Sequence, residues 1–512
     1  MKSNFLRRAT GIMMASLVAC GLFFGCAKED ERRKNADITI TFAGRSNDNE
    51  FANYQAFIDA FMEENPECYV DIQWSANESA YMSYITGLGD QLPDLFMLSR
   101  GEFVAYASSG LLYDYKDLVD RDALDSMYDT AAEAYLWDKQ ARTYGTDIDD
   151  ENTAFYGYSK DQGPYAICYN KSALSAIIGK YNETASVKLS LPSATEPMTY
   201  AEFLDYCSIL QKCIQRAEYK QLPGCSDLTR AIGEYSFEGA IYSNNADFFT
   251  DSTAKTSAVA TENFIQAIEF YQDIYELGLR APYGSTESAG ETSWINEKSL
   301  FFYCGPYKCK DYWQQVDFEW DLMPMAVGPA EGAVSTAEVG TMGYCIGNNA
   351  SDDAKVWAAK LAEYLATNEN AQMMQYRKGQ AIPNVKSLAN DFITDKYGVF
   401  KYVDESGEEK TLCPANRSVW IDMIDGVGGQ KTDAEGNTYT DKVGGKFTGV
   451  SYTYSKVWRT TITDWIKGNG TSYGCVFGDK NGSNFQNVRE SLTGFNPVFQ
   501  GLLDAMQVEL NK

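Results

Sequence analysis

The sequence predicts an α/β fold in which mainly parallel sheets are flanked by helices, and two observations lead to this class. Near the start of the chain, short runs of alternating apolar residues are separated by segments with a helical period. Residues 94–98 are apolar almost without interruption, as expected of a parallel strand that is buried on both faces. Strands that alternate with helices join by right-handed crossovers into a parallel sheet.

The first elements follow in a regular order. Strands are predicted at residues 37–42, 69–74 and 94–98, and a short helix is predicted at 79–87. A longer helix after the first strand begins at a potential capping box formed by Asn47 and Glu50. Its buried face is predicted to carry Phe51, Tyr54, Ile58 and Phe61.

The middle and the end of the chain continue the pattern less regularly. Residues 138–163 show no period and are interpreted as a surface insertion. Thr199 and Glu202 form a second potential capping box at the start of a helix. The remaining predictions are strands at 165–169, 300–304 and 342–346, helices at 261–277 and 352–366, an extended crossing at 320–329, and a hairpin-like stretch at 426–449.

The N-terminus predicts export and lipidation. Three basic residues precede an apolar run at 11–25 that is too short to span a membrane comfortably, and polar residues follow at once. Residues 1–25 are therefore interpreted as a lipoprotein signal peptide and residues 26–36 as a charged, flexible tether. Cys26 is favoured as the lipidated (palmitate-bearing) residue because the chain turns polar directly after it, and Cys20 is the alternative. The expected location is the extracytoplasmic face of the cell membrane.

Composition excludes several functions. The net charge of −27 disfavours binding to nucleic acid or to anionic lipid. The absence of histidine removes the usual zinc sites and the Ser-His-Asp and Cys-His catalytic arrangements. We predict no cofactor and no metal: the stretch from Asp479 to Glu490 resembles a Ca²⁺ loop only faintly, with Asn484 where the turn glycine belongs.

The 12 cysteines do not reveal a pairing. Cys207 and Cys213 are predicted to share a helix, where a spacing of six residues places them on different faces and prevents a bond between them.

Several strings, in a shared order, carry a resemblance to a known family. They are LPDLF at 92–96, YAICYNKSAL at 165–174, NEKSLFFYCGPY at 296–307 and GQAIP at 379–383. In these strings the chain resembles the extracellular solute-binding proteins of ABC importers, within the branch that includes sugar- and maltodextrin-binding proteins. The resemblance covers about residues 37–385.

This resemblance implies a two-lobed fold, like that of periplasmic binding proteins, with each lobe built on a mainly parallel sheet and joined to the other by crossing hinge strands. The first lobe would comprise 37–165 and 330–385, and the second 166–329. Residues 386–512 would form a mainly helical part that packs on both lobes, mostly on the second. The protein would be a monomer that binds a solute in the cleft between the lobes and delivers it to permease subunits.

The resemblance also implies that the protein is not an enzyme and that its ligand is a carbohydrate, most simply an oligosaccharide. A peptide, polyamine or anion bound by the same fold is the alternative. A surface lipoprotein that hydrolyses glycosides is a more remote one, because no segment predicts a barrel with acids at successive strand ends.

Candidate ligand contacts come from two sources. Polar residues that follow predicted strands are expected at the edge of the sheet where ligands collect, and aromatic rings suit the apolar faces of sugars. Among the aromatic residues, Tyr235 and Tyr307 align with positions at which the family stacks rings on ligand, although the family has Trp at the position of Tyr307. The full candidate set is Arg45, Ser46, Asn77, Arg100, Glu102, Tyr235, Trp294, Tyr307, Tyr344 and Trp420.

Overall fold

The architecture rests on a computed structural model. It describes residues 31–45, 48–75, 77–220, 222, 234–250, 255–277, 287–377, 382–396, 398, 400–403, 407, 409–424, 430–432, 438–440, 443–446 and 487–510. The signal peptide, both candidate lipidation cysteines and residues 479–486 of the predicted Ca²⁺-loop-like stretch lie outside these ranges. Within them, no helix combines the length and apolar character that a bilayer span requires.

The strands, numbered along the chain, are β1 Ile38–Arg45, β2 Cys68–Ser75, β3 Leu95–Ser99, β4 Leu136–Asp138, β5 Thr143–Tyr144, β6 Thr153–Phe155, β7 Gly157–Ser159, β8 Gly163–Pro164, β9 Ala166–Asn170, β10 Phe301–Cys304, β11 Trp320–Met323, β12 Ser335–Gly340, β13 Met342–Ile346, β14 Lys401–Val403, β15 Glu409–Thr411, β16 Gln430–Thr432, β17 Thr438–Thr440 and β18 Val443–Lys446.

The α-helices are α1 Asp48–Glu64, α2 Glu78–Gly87, α3 Arg100–Ser108, α4 Arg121–Asp125, α5 Asp129–Ala132, α6 Lys171–Thr184, α7 Tyr200–Ile214, α8 Glu234–Tyr242, α9 Glu262–Glu276, α10 Glu287–Ile295, α11 Cys309–Gln315, α12 Asp352–Thr367, α13 Glu369–Arg377, α14 Lys386–Thr394, α15 Ser418–Ile424 and α16 Val488–Leu510. Short 3-10 helices cover Lys116–Leu118 and Pro306–Lys308.

The first lobe is built on a five-stranded sheet in the order β2-β1-β3-β13-β7. β1 pairs in parallel with β2 and β3, whereas β13 is antiparallel to both β3 and β7. The strands β1, β2, β3 and β7 therefore all run in one direction. Their buried apolar side chains, such as Ile40 and Phe42, form the core with α1, α2, α3 and α12.

The second lobe departs from the expected parallel arrangement. Its sheet has the order β10-β9-β11, and both described ladders are antiparallel. The reason is the path of the chain: β9 enters the sheet directly from the first lobe, whereas β10 and β11 run back towards it. The prediction of a mainly parallel sheet is therefore wrong for this lobe, although the two-lobed α/β fold itself is confirmed.

Two strands that cross between the lobes lie side by side. β8 pairs antiparallel with β12, so that Gly163 faces Gly340 and Pro164 faces Val339. β18 adds a parallel strand to the other edge of β12, with Ser335 opposite Val443. The 426–449 stretch thus supplies a hairpin, β16–β17, and a strand of the crossing sheet. The lobe boundaries at 165/166 and 329/330 stay a prediction.

Residues 138–163 are not the surface insertion that the sequence predicts. β4, β5 and β6 form a small sheet whose Trp137 and Tyr144 pack against Phe103 of α3, and β7 completes the large sheet. Both strands β6 and β7 are buried. The prediction failed because the strands have only two or three residues each, too few to show a period.

One disulfide joins the described cysteines: Cys168 of β9 is bonded to Cys304 of β10. Cys207 and Cys213 lie on α7 as free, buried thiols, which confirms that they do not pair with each other.

Candidate functional site: the edges of the two lobes that face each other

One edge of the first-lobe sheet faces the second lobe. β7 ends there at Ser159 and leads through β8 into β9, and β13 begins there at Met342 directly after β12. Because β1, β2 and β3 run in the same direction as β7, their carboxyl ends lie at this same edge. In α/β sheets the carboxyl ends of the strands are where ligands bind.

Arg45, the last residue of β1, is the centre of a first ionic cluster at this edge. Its Nη1 lies 3.2 Å from Glu78 Oε1 and 3.4 Å from Glu102 Oε1. Its guanidinium also lies 5.7 Å from the ring centre of Tyr81. The Arg45 side chain is 11% exposed, so the guanidinium is largely enclosed by these partners. We call Arg45, Glu78 and Glu102 the Arg45 cluster.

Local structure fixes the two carboxylates of this cluster. Ser99 and Glu102 form a capping box at the start of α3: the Glu102 N–H donates to Ser99 Oγ, and the Ser99 N–H donates to Glu102 Oε2 at 2.8 Å. Glu78 is the first residue of α2, whose cap is Asn77. Both acids therefore sit at helix N-termini, where the helix dipole stabilises negative charge.

Lys160 is the centre of a second cluster, directly after β7. Its Nζ contacts Glu50 of α1 and lies 3.0 Å from Asp161 Oδ2. The three side chains are between 10% and 15% exposed. We call Lys160, Glu50 and Asp161 the Lys160 cluster.

Burial and charge act together in the Lys160 cluster. Burial alone would lower the pKa of Lys160, but Asp161 and Glu50 outweigh it and hold the Lys160 pKa above its ordinary value. Burial raises the pKa of Asp161; the Lys160 ammonium opposes that rise, and Glu50 adds to it. Lys160 is therefore a firmly charged group that two carboxylates share.

Met342 lies between the two clusters. Arg45 Nη2 lies 3.3 Å from Met342 Sδ, and the Lys160 N–H donates to the Met342 carbonyl at 2.7 Å. The clusters therefore occupy neighbouring positions along one edge rather than separate faces of the lobe.

The facing edge of the second lobe carries tyrosines. β10 and β11 end at this edge, and β9 begins there after Tyr165. The rings of Tyr165 and Tyr303 stack with centres 4.9 Å apart, and the Tyr307 hydroxyl lies 3.3 Å from that of Tyr165. Tyr307 remains 42% exposed, which makes its ring an accessible aromatic surface. Gly305 permits this placement, because a Cβ there would lie 2.8 Å from Tyr307 Cε1.

The charges beside these tyrosines are balanced. Lys308 Nζ lies 2.7 Å from Glu291 Oε1 and 5.6 Å from the ring centre of Tyr307. The Tyr312 hydroxyl donates to the same carboxylate oxygen at 3.2 Å.

Of the ten residues predicted as ligand contacts, the structure brings Arg45 and Glu102 together at the first-lobe edge and places Tyr307 on the second-lobe edge. Asn77 lies at the same first-lobe edge, but its side chain accepts the Ala80 N–H as the cap of α2. Arg100 turns inward: its Nε donates to the Ala134 carbonyl, and its guanidinium lies 3.8 Å from the Tyr144 ring centre.

Three of the predicted aromatic contacts are fully buried, with 0% exposure. Trp294 packs on Phe302 and Phe318 in the second lobe. Tyr344 exchanges a 2.6 Å hydrogen bond with Tyr54 inside the first lobe. Trp420 belongs to α15, and its side chain is buried in the core. Ser46 and the side chain of Tyr235 lie outside the described part of the chain, so their role as contacts stays a prediction.

Sequence reasoning missed Glu50, Lys160, Asp161 and Tyr165. Lys160 and Asp161 follow a strand, the same signal that selects Arg45, but β7 was hidden inside the presumed insertion. Glu50 was interpreted only as part of a capping box, which stays a prediction because Asn47 lies outside the described residues; its carboxylate contacts Lys160. No group of His, Cys, Asp and Glu side chains in the described ranges has the arrangement of a metal site.

Two lobes joined by crossing strands, with polar and aromatic side chains on the edges that face each other, define a binding protein that holds its ligand between the lobes. A sequence profile of the bacterial extracellular solute-binding proteins matches residues 56–400. The protein belongs to that family.

Solved structures share the fold at low sequence identity. An ABC substrate-binding protein from Listeria monocytogenes in complex with cycloalternan is 15% identical with a TM-score of 0.58, over 92% of this chain and 98% of that chain. UgpB from Mycobacterium tuberculosis in complex with glycerophosphocholine is 14% identical with a TM-score of 0.63, over 92% and 99%. The cyclic alpha-maltosyl-1,6-maltose binding protein from Arthrobacter globiformis is 13% identical with a TM-score of 0.59, over 93% and 98%. No curated protein matches the chain.

Proposed function

We propose that this protein binds an oligosaccharide between its lobes and delivers it to the permease subunits of an ABC importer. One observation carries the proposal: an accessible tyrosine ring lies at the second-lobe edge, and the first-lobe edge to which the crossing strands connect it is rich in charged hydrogen-bonding groups. A sugar ring has an apolar C–H face that packs on an aromatic surface and a rim of hydroxyls that bond to charged groups. No bond of the ligand is broken.

Several roles follow from the geometry. Tyr307 would stack on one sugar ring of the ligand. Arg45 would donate hydrogen bonds to sugar oxygens, and Glu102 would accept a hydrogen bond from a sugar hydroxyl through the carboxylate oxygens that already contact Arg45. Because each group is held by partners within its own lobe, ligand binding would require little reorganisation of the side chains.

Structures of similar fold support a sugar ligand, since two of those named above belong to proteins that bind cyclic oligosaccharides. The UgpB structure shows that the fold also accommodates glycerophosphocholine. The experiment must therefore include both kinds of ligand.

Thermal unfolding in the presence of a ligand panel tests this function. The chain from residue 27 onward would be screened with neutral oligosaccharides, glycerophosphocholine, short peptides and polyamines. A ligand at a hundred times its Kd stabilises the folded state by about 2.7 kcal/mol, which raises the melting temperature measurably. We expect an oligosaccharide to produce the shift, without any hydrolysis product in the sample. A shift with peptides or polyamines alone would show that the ligand class is wrong.

We also propose that the protein is held at the outer face of the membrane by lipid on Cys26, with Cys20 as the alternative. The change from apolar to polar sequence directly after Cys26 supports this order. Metabolic labelling with palmitate would compare Cys26→Ala with Cys20→Ala. Loss of label in Cys26→Ala alone is expected, and loss in Cys20→Ala alone would assign the lipid to Cys20.

A further inference from the structure

The charge balance of the two facing edges bears on which sugars the cleft accepts, given that the proposed function is correct. In the Arg45 cluster, one guanidinium is shared by Glu78 and Glu102. In the Lys160 cluster, one ammonium is shared by Glu50 and Asp161. Two cations against four carboxylates leave the two clusters together with a net charge of −2. On the other edge, Lys308 and Glu291 cancel each other.

The excess negative charge is poorly screened by water. Glu102, Glu50 and Asp161 are 19%, 15% and 14% exposed, and only Glu78 is mainly in solvent. Charges that are partly buried interact more strongly than exposed ones and are screened less by salt. Arg45 and Lys160 are each already held by two carboxylates, so an anionic ligand would have to compete for them.

A neutral sugar does not have to compete with the carboxylates for Arg45 and Lys160. Its hydroxyls donate to carboxylate oxygens and accept from the guanidinium N–H groups, so that both members of an ion pair gain a partner. A carboxylate or phosphate on the ligand would instead lose its hydration next to like charges.

We propose that the Arg45 and Lys160 clusters make the cleft selective for uncharged oligosaccharides and exclude sugars that carry uronic acid or phosphate groups. The selectivity is electrostatic, and Glu102 contributes to it directly because it is the less exposed of the two carboxylates that share Arg45.

Isothermal titration with matched pairs of ligands tests this selectivity. The probes are neutral oligosaccharides, beginning with maltotetraose, and the same oligosaccharides with their C6 hydroxyls oxidised to carboxylates. We expect every neutral sugar that binds to do so at least about tenfold more tightly than its acidic form at low salt, and the ratio to shrink as salt is raised.

The variant Glu102→Gln removes one of the excess charges. Glutamine also serves at the third position of a capping box, so α3 keeps its N-terminal hydrogen bonds. We expect the neutral-to-acidic affinity ratio to fall by at least about threefold. The matched control is Glu262→Gln, which removes one negative charge from an exposed residue of α9 that pairs with Arg489. The neutral-to-acidic affinity ratio of this variant should equal that of the unmodified protein.

The outcomes separate the two proposals. Binding of a neutral sugar together with equal or tighter binding of its acidic form would overturn the charge selectivity while leaving the carbohydrate function intact. A ratio that does not change with salt would also overturn it, and this measurement needs no variant. Binding of no sugar at all would overturn the proposed function itself.

Discussion

Tyr307 is the single side chain on which the ligand proposal depends most. Its ring is 42% exposed at the second-lobe edge, while its hydroxyl lies 3.3 Å from that of Tyr165. Tyr307→Ala should weaken oligosaccharide binding by about 1–2 kcal/mol, because the stacking surface is lost. Tyr307→Phe keeps the ring and should retain most of the affinity. Calorimetric titration measures both.

The matched control for Tyr307 is Tyr84→Ala. Tyr84 is similarly exposed, at 39%, but it lies on α2 and bonds to Gln73 of β2. Its removal should leave the affinity unchanged. Equal losses in Tyr84→Ala and Tyr307→Ala would show that Tyr307 has no special role in binding.

Arg417 illustrates a charged residue that serves the fold rather than the ligand. It is 5% exposed and donates to the carbonyls of Phe392, Ile393 and Pro414, and its guanidinium lies 4.0 Å from the Phe400 ring centre. Burial lowers the pKa of Arg417. Two of its acceptors are carbonyls in the last turn of α14, which have no partner within the helix.

Arg417→Ala should lower the free energy of unfolding by about 3 kcal/mol or more, because two buried carbonyls and one partly buried carbonyl lose their donor. Arg417→Lys should recover little of this, since an ammonium does not reproduce the planar fork of donors. Urea unfolding measures the loss. Arg489→Ala, which removes an exposed arginine, should leave the unfolding midpoint unchanged; an equally small effect of Arg417→Ala would contradict the structural role.

At the scale of elements, helix caps and the hydrophobic periods of helices and strands can be predicted from the sequence, because they depend on residues that are close together in the chain. The strand at 342–346 is confirmed to the residue, and the helix predicted at 352–366 differs from α12 by one residue. Thr199 and Glu202 form the predicted capping box of α7. Each of these signals lies within a few residues of the chain.

Elements whose partners are distant in sequence were not predictable. β7 pairs with β13, which lies almost two hundred residues further along the chain. β18 pairs with β12, which lies about a hundred residues earlier in the chain. The Lys160 cluster has the same origin, since Glu50 on α1 meets a lysine that follows β7. The bond between Cys168 and Cys304 likewise depends on the pairing of β9 with β10.

The cap of α7 leads to a prediction with a defined pH dependence. Hydrogen bonds from the Thr199 N–H, and then from its hydroxyl, lower the pKa of Glu202. A carboxyl with a lowered pKa stabilises the fold above its unfolded pKa of about 4.3, and this contribution is lost as the pH falls through the folded value. Thr199→Ala should therefore lower the free energy of unfolding by about 1 kcal/mol at neutral pH, and by less in acid.

Urea unfolding between acid and neutral pH checks this prediction. Glu202→Gln keeps the capping box, but glutamine cannot ionise. The contribution of residue 202 to the free energy of unfolding should therefore not vary with pH in this variant. A cost of Thr199→Ala that grows as the pH falls would contradict the assigned role of Glu202.

At the scale of the whole molecule, the strands that cross between the lobes meet at a close backbone contact. Gly163 of β8 faces Gly340 of β12 so closely that a Cβ at Gly163 would lie 2.9 Å from the Gly340 carbonyl oxygen. This carbonyl belongs to the backbone and cannot move aside without shifting the strand. Glycine is therefore required where the two crossing strands meet.

Gly163→Ala should change ligand affinity without removing any ligand contact, because it separates the crossing strands and so alters the balance between open and closed lobes. We expect affinity to fall by several-fold, as measured by calorimetric titration. Gly179→Ala is the control, since a Cβ at that exposed helical position meets no neighbour within 4 Å. An affinity unchanged by Gly163→Ala would show that the β8–β12 contact does not govern closure.

A crystal structure of the protein with the oligosaccharide that shifts its melting temperature tests the whole account most directly. Sugar density is expected between the lobes, with one ring against Tyr307 and hydroxyls bonded to Arg45 and Glu102. Sugar bound on an outer face of either lobe, with the space between Tyr307 and the Arg45 cluster left to water, would contradict it.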